Sequence, residues 1–146
     1  MNWITKTYNE LTKEELYSML RLRAEVFVVE QNCPYQDLDN KDQLALHLLA
    51  IDQDEVVAYL RIFKAGDYFQ EISIGRVVVK PTYRSTGLGH KAMKQAIAYI
   101  EAHNTQKAIR ISAQTYLKKF YESHGFKQVG EGYLEDGLPH IGMLRV

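Results

Sequence analysis

The sequence predicts an α/β (α+β) fold, a mixed sheet with helices packed on its faces. Segments with strand periodicity outnumber those with helical periodicity and follow the order β-α-β-β-β-α-β-α-β-β. Some neighbouring strands are separated only by turns, as hairpins require, and others by a helix, as crossovers require. A chain of 146 residues with 46% hydrophobic and 25% charged content is long enough for one domain, residues 1–146, with its own core.

Residues 4–8 predict an opening strand. Thr12-Lys13-Glu14-Glu15 reads as a capping box, with Leu11 and Leu16 placed as a hydrophobic staple. The helix it starts sets Leu16, Met19, Leu20, Ala24 and Phe27 on one face. A polar, irregular stretch over 31–43 follows. Residues 46–51 and 56–63 predict a hairpin about the turn Asp52-Gln53-Asp54-Glu55, and 72–79 a further strand closed by Lys80-Pro81. Leu88, Ala92, Met93, Ala96, Ile97 and Ile100 recur at helical spacing up to His103. Ile109, Ile111 and Ala113 alternate as in a strand. A short helix over 116–123 ends at Gly125, a left-handed cap, and residues 126–129 and 141–144 predict two last strands.

The 18 basic and 18 acidic residues cancel, so no overall field draws this chain to nucleic acid or anionic lipid, and any anion site must be local. A single cysteine, Cys33, excludes an intrachain disulfide framework and suits a reducing compartment. No stretch approaches the roughly 18 consecutive apolar residues of a membrane helix, and the N-terminus lacks a signal peptide's apolar core. A cytoplasmic location without membrane or nucleic-acid partners is the expectation. No grouping of His, Cys and Asp has zinc-like spacing, so no metal is expected.

The strongest chemical signal is Arg84-Ser85-Thr86-Gly87-Leu88-Gly89, between a strand and a helix. Glycines let a ligand approach the backbone, and the free N–H groups and dipole of a helix N-terminus favour an anion. Arg84 adds a permanent planar charge suited to phosphate oxygens, which makes a pyrophosphate the natural guest. Gly87-Leu88-Gly89-His90-Lys91-Ala92 also fits a dinucleotide fingerprint literally. Against that stand the long approach from Val79 to Gly87 and a following strand that ends without an acidic residue for a ribose hydroxyl.

The run from Gly75 to Gly89, with Val79-Lys80-Pro81-Thr82-Tyr83-Arg84 leading into Arg84-Ser85-Thr86-Gly87-Leu88-Gly89, resembles the core motif of the GNAT acetyltransferase superfamily. Tyr121-Glu122-Ser123-His124-Gly125-Phe126 resembles its second motif. The segments 23–31, Cys33-Pro34-Tyr35 and 135–143 are similar to the ElaA-like branch. The resemblance implies a largely antiparallel central sheet with helices on both faces, whose fourth and fifth strands splay to admit a pantetheine arm. It implies acetyl-CoA (acyl-CoA) as cosubstrate and an amine acceptor. Backbone groups of Val77 and Val79 would pair with the pantetheine amides, and Ser85, Thr86, Gly87, Leu88 and Gly89 would hold the pyrophosphate. Gln114, where many members have asparagine, would remain a cofactor contact, and Tyr121 would sit near the thioester sulfur.

Acyl transfer to an amine needs a base for the ammonium proton, a donor for the oxyanion and a proton for the leaving thiolate. Tyr121 can supply the last. His140, His47, Glu30 and Glu71 are candidate bases, the carboxylates through a water. Arg23 and Glu30 could recognise the acceptor or lie on a solvated helix face, Lys91, Lys118 and Lys119 read as surface lysines, and Cys33 as a structural residue. Two functions remain open: an acetyl-CoA-dependent N-acetyltransferase, and a non-catalytic acyl-CoA-binding or sensing module. Exposed strand edges near the C-terminus would permit a homodimer.

Overall fold

Alternating apolar side chains build seven strands: β1 (Asn2–Thr7), β2 (Leu46–Asp52), β3 (Glu55–Phe63), β4 (Ile72–Val79), β5 (Ile109–Gln114), β6 (Lys127–Glu135) and β7 (Leu138–Arg145). In the computed structural model, which describes residues 1–146, they form one sheet in the order β1-β2-β3-β4-β5-β7-β6. Every pairing is antiparallel except β4 with β5. No helix is long and apolar enough to cross a membrane.

Helices α1 (Lys13–Arg23), α2 (Leu88–His103) and α3 (Lys118–Glu122) cover the sheet. The capping box forms as its spacing predicts: Glu15 N donates to Thr12 Oγ1 (3.1 Å), and Thr12 N to Glu15 Oε1 (2.9 Å). Met19, Leu22 and Val26 pack under α1 against Leu49, Tyr59 and Val78. On the opposite face, Ala92, Met93 and Ile100 of α2 meet Leu60, Ile74, Ile109 and Ile111 in the larger core.

The first helical segment departs from its predicted face. After Arg23 the backbone widens into a π-helix over Ala24–Glu30. The buried positions Met19, Leu22, Arg23 and Val26 nevertheless keep the i, i+3, i+4, i+7 spacing of one helical face. The departure is confined to Ala24, which points to solvent while the charged Arg23 beside it takes the buried place. The last two strands also run well beyond the residues that apolar alternation marked, because their outer halves pair with each other rather than with the core.

Arg23 and Arg61, both essentially without exposed surface, are held by acids of the irregular 31–43 stretch. Arg23 Nε donates to Asp37 Oδ2 (2.9 Å) and its Nη1 to Asp42 Oδ1 (2.8 Å). Arg61 donates to Asp42 Oδ1 (2.7 Å) and to both oxygens of Asp39. The reading of Arg23 as a solvated or acceptor-facing charge is thereby corrected. Burial alone would raise the Asp39 carboxyl, but hydrogen bonds and charge from Arg61 outweigh it and hold it at about 2.

His47 is also corrected. It has no exposed surface; Nε2–H donates to the Asp42 carbonyl (2.8 Å) and Nδ1 accepts from the Tyr59 hydroxyl (2.6 Å). Both ring nitrogens are engaged in the core, and burial lowers its pKa, so the ring stays neutral. Two linkages then run in the same direction. Below about 6.5 the unfolded His47 takes up a proton that the folded ring refuses; between 3.8 and about 2 the unfolded Asp39 takes up one that the folded carboxylate refuses. Urea denaturation is therefore expected to show stability falling in two stages as pH drops from 7 to 2. His47→Gln should shrink the upper stage to the part that His124, also lowered by burial, contributes, and leave the lower stage in place; a stability independent of pH between 7 and 5 would contradict this account.

Candidate active site

The parallel pairing of β4 with β5 lasts for only two residue pairs, Ile72 with Ile109 and Ser73 with Arg110. Beyond them the strands diverge, leaving facing edges with unpaired backbone groups along 74–79 and 111–114. A bulge helps them part. Tyr59 opposes Val78 and Arg61 opposes Gly75, so β4 carries one extra residue there, and Arg76 adopts a left-handed backbone (φ 52°). Its guanidinium turns under the sheet, with Nε donating to Asp37 Oδ1 (2.9 Å).

A cavity of about 430 Å³ fills the gap. Its walls bring together Val77, Val79, Arg84 and Gly89 from the β4–α2 side with Gln114, Tyr121 and His140 from the other. Glu30 closes the mouth. Cys33, Tyr35, Tyr116, Glu135 and Asp136 also line it. Cys33 is a tether: its buried thiol donates to the Asp136 carbonyl (3.3 Å), joining the 31–43 stretch to the β6–β7 turn. Tyr35 donates to Asp37 Oδ1 (3.0 Å). No periodicity marked these positions, since all but Glu135, the last residue of β6, lie outside the strands and the long helices.

The loop before α2 has Ser85 (φ 66°) and Gly87 (φ 79°) in left-handed conformations. The first backbone bond of the helix runs from Lys91 N to Gly87 O (3.1 Å), and none of the amides of residues 85–90 donates to a protein acceptor. They form an anion-binding concavity at a helix N-terminus. Ser85, Thr86, Gly87 and Leu88 offer it backbone rather than side chains. Leu88 is buried against Ala50, Val57 and Ala58, and the Thr86 hydroxyl donates to Tyr83 O (2.6 Å). Arg84 donates through both terminal nitrogens to Glu30, at 2.8 and 2.5 Å. That pairing holds the Glu30 carboxyl below its usual range.

Tyr121 is buried, with ring contacts to Phe120 and Phe126. Its hydroxyl has no protein partner, yet it is not sealed from solvent, so it opens on the cavity. Burial raises its pKa above the phenol's ordinary value and keeps it protonated. His140 Nδ1–H donates to Leu138 O (2.8 Å), which leaves Nε2 unprotonated in the neutral ring, 3.5 Å from Glu135 Oε2. Gln114 Nε2 donates across the cleft to Gln31 Oε1 (3.2 Å). Glu71 lies off the cleft, 3.9 Å from Arg110, and Lys91, Lys118 and Lys119 do not line it.

A sheet split at its one parallel pair, with a free-amide loop at one end of the gap, defines a family. A family model described as the acetyltransferase (GNAT) domain matches residues 7–145. The chain belongs to this GNAT acetyltransferase family. It is 43% identical to protein ElaA of Escherichia coli K12, covering 99% of this chain and 96% of that one. The crystal structure of E. coli ElaA superposes with a TM-score of 0.93 at 41% identity over 100% of both chains. An acyl-CoA N-acyltransferase from Pseudomonas aeruginosa superposes with a TM-score of 0.94 at 42% identity, again over 100% of both. An aminoglycoside 6'-N-acetyltransferase complexed with coenzyme A shares the fold alone, with a TM-score of 0.71 and 15% identity over 97% of this chain and 96% of that one.

Gly87 tests the loop independently of any ligand. A Cβ at this position would meet nothing within 4 Å, but the φ of 79° opposes any L side chain. Gly87→Ala is expected to cost about 1–2 kcal/mol in chemical denaturation. An unchanged midpoint would mean that the loop is not held in this conformation.

Proposed function

We propose that this chain is an N-acyltransferase that moves an acetyl (acyl) group from acetyl-CoA to a primary amine by direct attack in a ternary complex. One observation carries the reading. The unpaired edge of β4 and the Tyr121 hydroxyl share one cleft, and the loop with free amides at 85–90 adjoins it where Arg84 and Gly89 form its wall. A pyrophosphate, a chain of amides and a thioester sulfur occur in that order in one molecule, coenzyme A. The description of the P. aeruginosa relative as an acyl-CoA N-acyltransferase points the same way.

In this reading the cofactor's phosphates accept from the 85–90 amides and draw on Arg84, which exchanges Glu30 for a phosphate oxygen. Pantetheine amides pair with Val77 and Val79 as an added strand would. His140 Nε2 removes the proton from the attacking ammonium. The amine nitrogen attacks the thioester carbon, and a backbone N–H of β4 beyond the bulge stabilises the oxyanion. As the carbon–sulfur bond breaks, Tyr121 donates its proton to the thiolate, and the proton that the new amide nitrogen sheds restores the phenol. Glu30 is a poorer base than His140 even after Arg84 leaves it, since a carboxylate holds a proton less firmly than an imidazole does. His47, engaged in the core, plays no part in proton transfer.

The test is release of free thiol from acetyl-CoA in the presence of a panel of primary amines. Tyr121→Phe is expected to lower kcat by about 10²–10³-fold, within the range for a lost general acid, with little change in the KM for acetyl-CoA. Because burial raises the Tyr121 pKa, the wild-type rate should show no falling limb below about pH 10. Binding of acetyl-CoA without thiol release across the panel would instead indicate a non-catalytic acyl-CoA-binding module.

A further inference from the structure

The cleft continues beyond His140. Helix α1 packs on β3 and β4, so on its side of the sheet β5, β7 and β6 have no helix above them. Along this bare face lies a second cavity of about 440 Å³. Ile111, Ser112 and Glu135 line both cavities, which therefore adjoin, and His140 lies on the first side of that boundary. Gly142 forms part of its floor, where a Cβ would come within 3.3 Å of Val129 O.

The chemistry of this groove is one-sided. Glu131 and Glu135 line it together with the rings of Tyr68, Phe69 and Tyr133. Its one lining cation, Arg110, faces Glu71 at 3.9 Å and lies over the Phe69 ring at 5.7 Å. Arg61 and Arg76, close by, are committed to Asp39, Asp42 and Asp37. Lys41 stands over the Tyr68 ring at 5.8 Å but does not line the cavity. Glu135 accepts from Ser112 Oγ (3.1 Å), whereas exposed Glu131 has neither an ion pair nor a hydrogen bond to its side chain.

The backbone places Glu131 by a specific device. Val129 opposes Gly142 and Tyr133 opposes His140, so β6 carries two extra residues against β7. They lie in the segment Gly130-Glu131-Gly132, with Gly130 at φ 76°. Bulges of this kind re-aim a side chain beside a site. In a regular strand, residues 131 and 135 would lie about 13 Å apart, and the bulge shortens that span.

We infer that this groove binds the acyl acceptor, and that it selects an extended aliphatic amine carrying a second cation. The reacting nitrogen lies at His140 and Glu135, and the remote ammonium lies at Glu131. The methylene chain runs over the tyrosine faces, which suit both alkyl groups and cations. A free diamine or polyamine supplies both charges, whereas a single lysine side chain supplies only one. This inference rests on the acyltransferase reading.

The experiment compares kcat/KM at fixed acetyl-CoA for α,ω-diaminoalkanes of graded length, monoalkylamines of equal length, an ω-amino carboxylic acid and Nα-acetyl-lysine amide. At low salt the best diamine should exceed its monoamine by about fivefold, the scale of an exposed ion pair, and the amino acid should be poorest. Glu131→Gln should bring the diamine-to-monoamine ratio close to one, as should high salt. A wild-type ratio near one, or a ratio that survives Glu131→Gln, overturns the inference while the acyltransferase reading stands. If no amine releases thiol, calorimetry with the diamine decides the matter. Binding that depends on Glu131 upholds the groove and overturns only the enzyme reading, and absence of binding overturns both.

Discussion

Asp37 is the point on which one wall of the cleft depends. Its carboxylate accepts from Arg23 Nε, Arg76 Nε and the Tyr35 hydroxyl, and its carbonyl accepts from the Nη2 atoms of both arginines at 3.1 Å. These donors come from α1, the β4 bulge and the irregular stretch itself. Buried guanidinium groups are tolerable only when their charge and donors are met, and leaving either unpaired would cost several kcal/mol. The stretch from 31 to 43 has little hydrogen-bonded structure of its own, so this network substitutes for a helix or strand. It fixes Tyr35 directly, and the tether from Cys33 to Asp136 carries the same wall to the β6–β7 turn.

The same residue links the wall to the split in the sheet. Arg76 can reach Asp37 because the extra residue in β4 turns its side chain out of the normal alternation. The bulge that redirects the side chain also bends the strand away from β5, which pairs with it for only two residues. An open edge within a sheet is ordinarily a liability, since it offers unpaired amides to any passing strand. Here both edges face a cleft whose walls include Tyr121 and the Glu30–Arg84 pair, so they are covered by side chains rather than open to a passing strand.

What was legible in the sequence divides along physical lines. Strands β2 to β5 and helix α2 could be read almost to the residue, because β5 and α2 each bury one regular face and β2 and β3, buried on both, are continuous apolar runs bounded by turn residues. The loop from Arg84 to Gly89 could be read because its glycines and arginine answer local backbone demands. His47 was misjudged because a histidine's intrinsic pKa says nothing of burial; Tyr59 and the Asp42 carbonyl, which engage it, come from a strand and a turn elsewhere in the chain. Arg23 was misjudged for the same reason, with partners 14 and 19 residues away. Ala24 failed with it, since the place it was given on the buried face is taken by the neighbouring Arg23, a charge that a hydrophobic pattern does not count.

This division also explains why the two sides of the cleft differ in how much they disclose. In the proposed reading the donor side uses backbone amides at 85–90 and along β4, and backbone geometry is encoded by short motifs of glycine, proline and charge. The groove beyond His140 uses side chains from β5, β6 and β7 and from the segment containing Tyr68, gathered by an irregular register between two strands. Their placement follows from a bulge of two residues that no hydrophobic pattern signals, since it faces solvent on both sides. A side bound by backbone must retain its motif and can be recognised from it. A side built from exposed side chains can exchange a carboxylate for another group at little cost to folding. The acceptor side is therefore where members of one fold can part in specificity while keeping the same means of holding the acyl donor.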